Sequence, residues 1–136
     1  MAVTWSEADQ ERVLGRLAAI VSELPGTVVS AGHTDTGYLL GQHRFAWLLA
    51  DHNRNGRLEL WIKATRGGQD GVVSARPARY FVPPYFGRQG WVGALVLPEF
   101  EPDWDELTAL IEQAWRMGAG APAVGALDAA RAGVPR

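Results

Sequence analysis

Two pairs of closely spaced residues carry side chains that could transfer protons or bind a metal. His33 and Asp35 stand two positions apart, and Asp51 and His52 are adjacent. On a strand, His33 and Asp35 would point to the same face as a candidate acid–base or metal pair. However, neither spacing matches a helical metal motif such as His-x-x-x-His, and residues 32–37 are typical of a turn. We therefore predict neither catalysis nor a metal site at these pairs.

Other kinds of catalytic chemistry find no support in the sequence. The chain has no cysteine, which excludes disulfides, zinc–thiolate sites and thiol nucleophiles and is typical of a cytoplasmic protein. Ser22, Ser30 and Ser74 lie outside any nucleophile-elbow motif, and no glycine-rich segment matches the phosphate-binding pattern Gly-x4-Gly-Lys-Ser/Thr. We predict a non-catalytic protein without cofactor or metal. An enzyme would need four side chains to converge in space: His33, Asp35, His52 and Glu59.

Binding chemistry is concentrated on the outer face of a predicted hairpin, which carries Arg44, His52, Glu59, Trp61 and Lys63, the only lysine of the chain. One outward indole among several cations could stack a nucleic-acid base and hold a phosphate. The same face could instead pair with a second subunit through Trp61. A third alternative is a solvated face on which His52 and Glu59 form a cross-strand pair.

A second candidate site is the segment Pro83–Trp91. Two prolines fix φ, and two glycines permit positive φ, so the segment forms a shaped loop. Tyr85 and Arg88 could form a ligand-contacting rim there, although such loops more often anchor aromatic residues in a core. The candidate binding residues are therefore Arg44, His52, Trp61, Lys63, Tyr85 and Arg88.

Charge is unevenly distributed along the chain, although the net charge is only −2. Between Thr27 and Leu97 there are eight basic and four acidic residues, a balance of +4, whereas the flanks hold five basic and eleven acidic residues. A mildly basic middle is compatible with DNA binding, and acidic helices around arginine-rich loops would produce the same distribution.

Two amphipathic helices should enclose this middle region. Ser6 is a good N-cap for a helix over Glu7–Leu24, which Pro25 and Gly26 terminate. Asp103 and Glu106 resemble a capping box at the start of a second helix that ends near Gly118. A short helix within residues 69–79 and strands over residues 27–30, 38–40, 43–52, 57–64, 80–82 and 91–97 complete the prediction.

Asn55-Gly56 is a strong hairpin signal, so the register of the central strands can be predicted. A two-residue loop would pair Leu49 with Ile62 and Asp51 with Leu60. Trp47, Leu49, Leu58, Leu60 and Ile62 would then share the core face, and Trp61 and Lys63 would lie on the other. A longer loop through Asn53-Arg54 is the alternative.

These elements predict a two-layer α+β domain with an antiparallel sheet of about five strands, flanked by N- and C-terminal helices. Residues 1–118 would form the single domain, and residues 119–136 an Ala/Gly/Pro-rich tail, either weakly helical near Val124–Arg131 or disordered. No segment has the length of apolar sequence that spans a bilayer, so we expect no membrane partner.

The run Pro83–Val92 is similar to the signature of the MmcQ/YjbR family, and His43–Ala46 and Leu60–Ala64 precede it in the expected order. Asp103-Trp104 and Ala114–Arg116 follow, so the resemblance spans roughly residues 27–118. It implies a helix–sheet–helix fold likened to a "double wing", no catalytic residues, and DNA as a partner. A non-catalytic interaction or small-ligand-binding domain, with a second copy of the chain as one candidate partner, is the alternative function.

Overall fold

A computed structural model gives the structure of residues 5–133, except for the side chain of Asn53. The helices are α1 (Glu7–Val21), α2 (Arg66–Ala75), α3 (Trp104–Ala119) and α4 (Ala121–Arg131). The strands are β1 (Thr27–Ala31), β2 (Asp35–Leu40), β3 (His43–Ala50), β4 (Leu58–Ile62), β5 (Tyr80–Phe81) and β6 (Val92–Leu95). Three short 3₁₀ turns cover His52–Arg54, Phe86–Gln89 and Pro98–Phe100.

The strands form one antiparallel sheet in the order β1-β2-β3-β4-β6-β5. The predicted α+β class is therefore confirmed. The sheet has six strands rather than about five, because Tyr80 and Phe81 pair with Ala94 and Gly93 to form a short edge strand. The predicted turn over residues 32–37 is partly wrong, since β2 begins at Asp35 and pairs along β3.

Helix α1 begins as the sequence predicts. The Ser6 hydroxyl accepts a hydrogen bond from the backbone N–H of Asp9 at 3.2 Å, and the Asp9 carboxylate accepts one from Ser6 N–H at 2.9 Å. These two bonds satisfy donors that the first helical turn leaves free. The helix ends at Val21 rather than Leu24, and its buried residues Val13 and Leu17 pack against the sheet.

The predicted register of the central hairpin is wrong by three residues. Trp47 lies opposite Trp61 and Ala50 opposite Leu58, so the numbers of paired residues sum to 108 instead of 111. An odd shift transfers every side chain of one strand to the other face relative to its partner. Trp47 and Leu49 therefore share a face with Trp61, and not with Leu60.

The register shifts because the connection between β3 and β4 is longer than two residues. Asp51, just before the 3₁₀ turn, and Arg54, its last residue, adopt positive φ values of 53° and 61°. The Asp51 carboxylate accepts a hydrogen bond from Gly56 N–H at 2.7 Å, and the Asn55 side-chain oxygen accepts one from Arg57 N–H at 2.9 Å. The longer loop, which the sequence left open, is the one that forms.

The first core lies between the sheet and helices α1, α3 and α4. On the sheet side, Leu58, Leu60 and Ile62 are buried in it as predicted, and Leu48 joins them in place of the predicted Trp47 and Leu49. In the predicted tail, Ala121–Arg131 form α4, a longer helix than the weak one left open near Val124–Arg131. Gly120, with φ of 84°, separates α4 from α3, and Leu127 of α4 is buried in the same core.

Helix α2 starts earlier than predicted, at Arg66, because the Thr65 hydroxyl accepts a hydrogen bond from Gly68 N–H at 3.0 Å. Its Val72 and Val73 pack against the first core beside β5 and β6. Gln69 is buried on this helix and points toward the segment that precedes β6.

Candidate functional site

The sheet face opposite α1 and α3 carries a second aromatic core. We call Trp47, Trp61, Phe86 and Trp91 the aromatic cluster; Leu49 and Phe81 pack with it. The centroid of the Phe86 ring lies 5.8 Å from that of Trp47, 5.9 Å from Trp61 and 5.1 Å from Trp91. The contacts with Trp47 and Trp61 are edge to face, and the contact with Trp91 is tilted. Aromatic pairs at such distances stabilise the fold beyond what the burial of their apolar area contributes.

Trp61 is at the base of this cluster and is only 1% exposed. The prediction that it presents its indole to solvent is therefore wrong. It does lie on the face opposite Leu60, as predicted, but Trp47 and Phe86 cover it. Direct stacking of a base or a second subunit on Trp61 is excluded in this arrangement.

Glu59 is buried beside Trp61, and its carboxylate accepts several hydrogen bonds. The Trp61 indole N–H donates to it at 2.7 Å and the Asn55 amide at 2.6 Å, while Arg57 Nε lies 3.2 Å away. The strand partner of Glu59 is Leu49, so the predicted cross-strand pairing with His52 is wrong. Because Asn55 and Arg57 belong to the loop between β3 and β4, their contacts with the Glu59 carboxylate stabilise that loop.

Residues 82–90, which we call the 82–90 loop, fold over the aromatic cluster and bring Phe86 into it. The Gln69 amide donates hydrogen bonds to the carbonyl oxygens of Gly87 at 2.9 Å and Trp91 at 2.7 Å. The Arg66 guanidinium donates two more, at 3.1 and 2.7 Å, to the carbonyl oxygen of Arg88. The loop is therefore fixed to α2 at both its middle and its end.

A cavity of about 220 Å³ opens between this loop and the start of β3. We call it the basic groove; its lining residues are Gln42, His43, Arg44, Lys63, Phe86, Gln89 and Trp91. Among the described residues, those that line it include no aspartate or glutamate. One guanidinium, one lysine amine, one imidazole, two amides and two aromatic rings thus line one small cavity.

Arg44 occupies a fixed position in the groove. Its Cζ lies 4.4 Å from the centroid of the Trp47 ring, a cation–π arrangement. Its Nε is enclosed and has no hydrogen-bond partner within residues 5–133. Gly37 makes room for this placement, since a Cβ there would lie 2.6 Å from Nε of Arg44.

A second, smaller polar cavity of about 180 Å³ is lined by Thr34, Asp35, Trp47, Leu49, Ala50 and His52. The Trp47 indole N–H donates a hydrogen bond of 2.6 Å to Asp35. The His52 ring lies 5.4 Å from the Trp61 ring, edge to face. Across the part of the chain that the structure describes, no three His, Asp or Glu side chains are grouped to hold a metal ion.

The structure thus separates the six predicted binding residues. Arg44 and Lys63 line the basic groove together. Tyr85 and Arg88 are exposed on the adjoining 82–90 loop, while His52 lines the other cavity and Trp61 is covered.

Sequence reasoning missed the contribution of Phe86, Gln89 and Trp91 to the groove. Tyr85 and Phe86 are adjacent in the sequence, and two neighbouring aromatic residues in a loop often point in opposite directions. This could have indicated that one of the two rings points inward. The orientation of the loop depends on Gln69 of α2, which no local pattern identifies.

An antiparallel six-stranded sheet, helices on one face and an aromatic cluster beneath a basic groove on the other define a small α+β domain. A family model described as YjbR matches residues 22–117. The chain belongs to the YjbR family, as its resemblance predicted.

A solved structure with the same fold is the crystal structure of Deinococcus radiodurans protein DR2400, a domain of the family DUF419. The two superpose with a TM-score of 0.64 and 14% sequence identity, over 90% of this chain and 88% of that one. No curated protein matches the chain. None of the helices within residues 5–133 is long and apolar enough to cross a membrane.

Proposed function

We propose that this protein is a non-catalytic nucleic-acid-binding domain, and that its basic groove holds a backbone phosphate. The observation that carries the proposal is the position of Arg44 and Lys63 in one cavity without a lining carboxylate in the described residues. Lys and Arg contacts to phosphate supply most of the sequence-independent affinity for nucleic acids.

The other arginines are mostly neutralised or occupied within the protein. Arg57 pairs with Glu59, Arg76 with Glu106 and Arg116 with Asp128. Arg44 instead rests on Trp47 and pairs with no carboxylate among the described residues. A guanidinium that is already held in place loses little side-chain entropy when an anion binds.

The size of the groove favours part of a polymer over a complete small molecule. Its volume of about 220 Å³ is below the roughly 300–1,000 Å³ of typical ligand pockets. A phosphate with its sugar could enter it while the rest of the strand lies outside. The amides of Gln42 and Gln89 could donate hydrogen bonds to phosphate oxygens.

An enzyme is the less supported interpretation of the same residues. Asp35 and His52 line one cavity, but Glu59 is buried and accepts hydrogen bonds from Trp61 and Asn55. His33 is absent from the residues that line that cavity.

Fluorescence anisotropy with labelled DNA, in single-stranded and duplex form, tests the proposal. Affinity should fall steeply between about 50 and 200 mM salt. Arg44→Gln and Lys63→Gln should each weaken binding by about ten-fold and lower the salt slope by about 0.7–0.9 for each phosphate that the variant no longer neutralises. Arg12→Gln is the matched control, because Arg12 is exposed on α1, on the other side of the sheet, and pairs with Asp9.

Three results would contradict the proposal. The first is that neither form of DNA binds at low salt. The second is that the affinity does not change with salt concentration. The third is that Arg12→Gln reduces the affinity as much as Arg44→Gln does. A shift in Tm with inorganic phosphate or a mononucleotide, without any DNA binding, would support the small-ligand alternative instead.

Self-association is a second candidate function, favoured by edge strand β1. Val28 and Val29 are about half exposed on its two faces, and Thr27–Ala31 contains no charge or proline. Antiparallel pairing with a second copy around Val29 would place no like charges opposite each other. The other edge strand, β5, has only two residues and is followed by Pro83.

Sedimentation velocity over a range of concentrations tests this candidate. A dimer that Val29→Lys converts to monomer would support pairing through β1. A protein that stays monomeric at high concentration would overturn it.

A further inference from the structure

Resting on the proposed function, we infer that the ring of Tyr85 is a stacking platform for an unpaired base, so that the ligand class is single-stranded rather than duplex nucleic acid. Tyr85 is 81% exposed, and it is the one aromatic residue among the exposed large hydrophobic side chains of residues 5–133. An exposed aromatic ring beside cations is the usual platform for single strands, because every base offers a π face.

The backbone holds Tyr85 in a conformation that costs free energy. Its φ and ψ are 64° and −62°, and Phe86 N–H donates a hydrogen bond of 2.7 Å to the carbonyl oxygen of Pro84. These values describe a γ-turn of the rare, strained kind. Glycine would tolerate this conformation better than tyrosine does, so backbone conformation alone does not explain a tyrosine at this position.

The neighbours of Tyr85 fix the backbone from which its ring projects. On the C-terminal side, Phe86 is packed into the aromatic cluster. On the N-terminal side, Pro83 is buried and its carbonyl oxygen accepts a hydrogen bond of 2.9 Å from Gly87 N–H. Gly87 also packs closely on Val82, since a Cβ there would lie 2.4 Å from a Val82 methyl carbon. The backbone that carries the ring is therefore pre-organised, which lowers the entropy cost of binding.

Tyr85 stands next to the groove proposed to hold phosphate. Phe86, the following residue, lines that groove, and so does Gln89 at the end of the same 3₁₀ turn. A strand whose phosphate lies near Arg44 could extend a neighbouring base over the Tyr85 ring. A duplex cannot do so, because its bases are already stacked and paired inside the helix.

Three probes separate stacking from phosphate contact: a labelled oligothymidine, a duplex hairpin of equal charge, and an oligothymidine of equal length in which every base has been removed. We expect the wild type to bind the oligothymidine about ten-fold more tightly than the other two. The abasic strand keeps every phosphate, so its lower affinity reports the bases alone.

The decisive variant is Tyr85→Gly, because glycine removes the ring and relieves the backbone strain. Its Tm should not fall, and its affinity for oligothymidine should drop to that of the abasic strand. Tyr85→Phe should bind as the wild type does, since stacking needs the ring and not the hydroxyl. Arg88→Gln is the matched control: removal of a neighbouring charge should weaken all three probes by a similar factor.

Equal binding of all three probes, unchanged in Tyr85→Gly, would overturn the stacking platform and leave the proposed function standing. Preference for the duplex would overturn it as well. If none of the probes binds at low salt, the proposed function and this inference both fail.

Discussion

Trp47 lies directly opposite Trp61 on the neighbouring strand, with the two ring centroids 5.6 Å apart and the ring planes at 83°. This edge-to-face pair forms the floor on which Phe86 and the 82–90 loop rest. Trp47 also carries the guanidinium of Arg44 on its ring. One cross-strand pair thus supports both the loop that presents Tyr85 and the cation that faces the groove.

The carboxylate of Glu59 should be important for stability. In Glu59→Ala, the buried indole N–H of Trp61 and the amide of Asn55 would lose their acceptor, and each buried donor left unsatisfied costs about 1–3 kcal/mol. We expect the free energy of unfolding, measured in urea, to fall by about 3 kcal/mol. Glu99→Ala, at an exposed position, should change it by less than about 0.5 kcal/mol. Similar values for the two variants would contradict a structural role for Glu59.

Two glycines should respond in opposite directions to alanine. At Gly93, a Cβ would lie 2.3 Å from the Phe81 ring, which also contacts the Arg57 guanidinium. Gly93→Ala should therefore lower the free energy of unfolding by about 1–3 kcal/mol. Gly15 lies inside α1 with no atom within 4 Å of its Cβ position, so Gly15→Ala should raise it by about 0.5–1 kcal/mol. Thermal unfolding measures both, and a stable Gly93→Ala would mean that the Phe81 ring moves without cost.

The sequence predicted the two long helices because their signals are local. Ser6 and Asp103 cap them, and apolar residues recur at helical spacing. It could not predict the register of β3 and β4, since Asn55-Gly56 matches a tight turn while the loop is stabilised by Glu59 and Asp51 through contacts made only after folding. The placement of Arg44 on the Trp47 ring depends on another irregularity, a register shift between Tyr38 and Leu39 in the pairing of β2 with β3. Residues three apart on a regular strand point to opposite faces, so strand alternation alone could not predict this contact.

The attachment of α4 to α3 should weaken in acid. Burial raises the pKa of Glu112, but hydrogen bonds from Arg131 and Arg116 lower it more, so that its pKa lies below the ordinary value of 4.5. A hydrogen bond from Arg116 likewise lowers the pKa of Asp128. A carboxylate with a lowered pKa stabilises the folded state above its unfolded pKa, and this contribution is lost as the pH falls through the folded-state value.

Urea unfolding from about pH 7 to about pH 3 measures this effect. The wild type should lose part of its stability below about pH 4.5, and Glu112→Gln should lack that part of the pH dependence. Glu11→Gln, on the exposed face of α1, should follow the wild type. If Glu112→Gln retains the full acid sensitivity, the ion pairs between α3 and α4 do not contribute to it.

Gly37 should control the position of Arg44 without holding the fold together. It lies opposite Trp47 on β2, and the atoms that a Cβ would meet are Nε, Nη2 and Cζ of Arg44, at 2.6–3.2 Å. These atoms are at the end of a flexible side chain. Gly37→Ala should therefore displace the guanidinium from the Trp47 ring rather than move a strand.

We expect Gly37→Ala to change the free energy of unfolding by less than about 1 kcal/mol and to weaken DNA binding nearly as much as Arg44→Gln does. Combining the two substitutions should add little, because both remove the same pre-organised cation. Gly71→Ala, on α2 with no atom within 4 Å of its Cβ position, is the matched control and should bind as the wild type does. Anisotropy and urea unfolding on the same samples separate the two effects. Unchanged binding in Gly37→Ala would mean that affinity comes from the charge of Arg44 in any position, and that its placement on Trp47 serves packing alone.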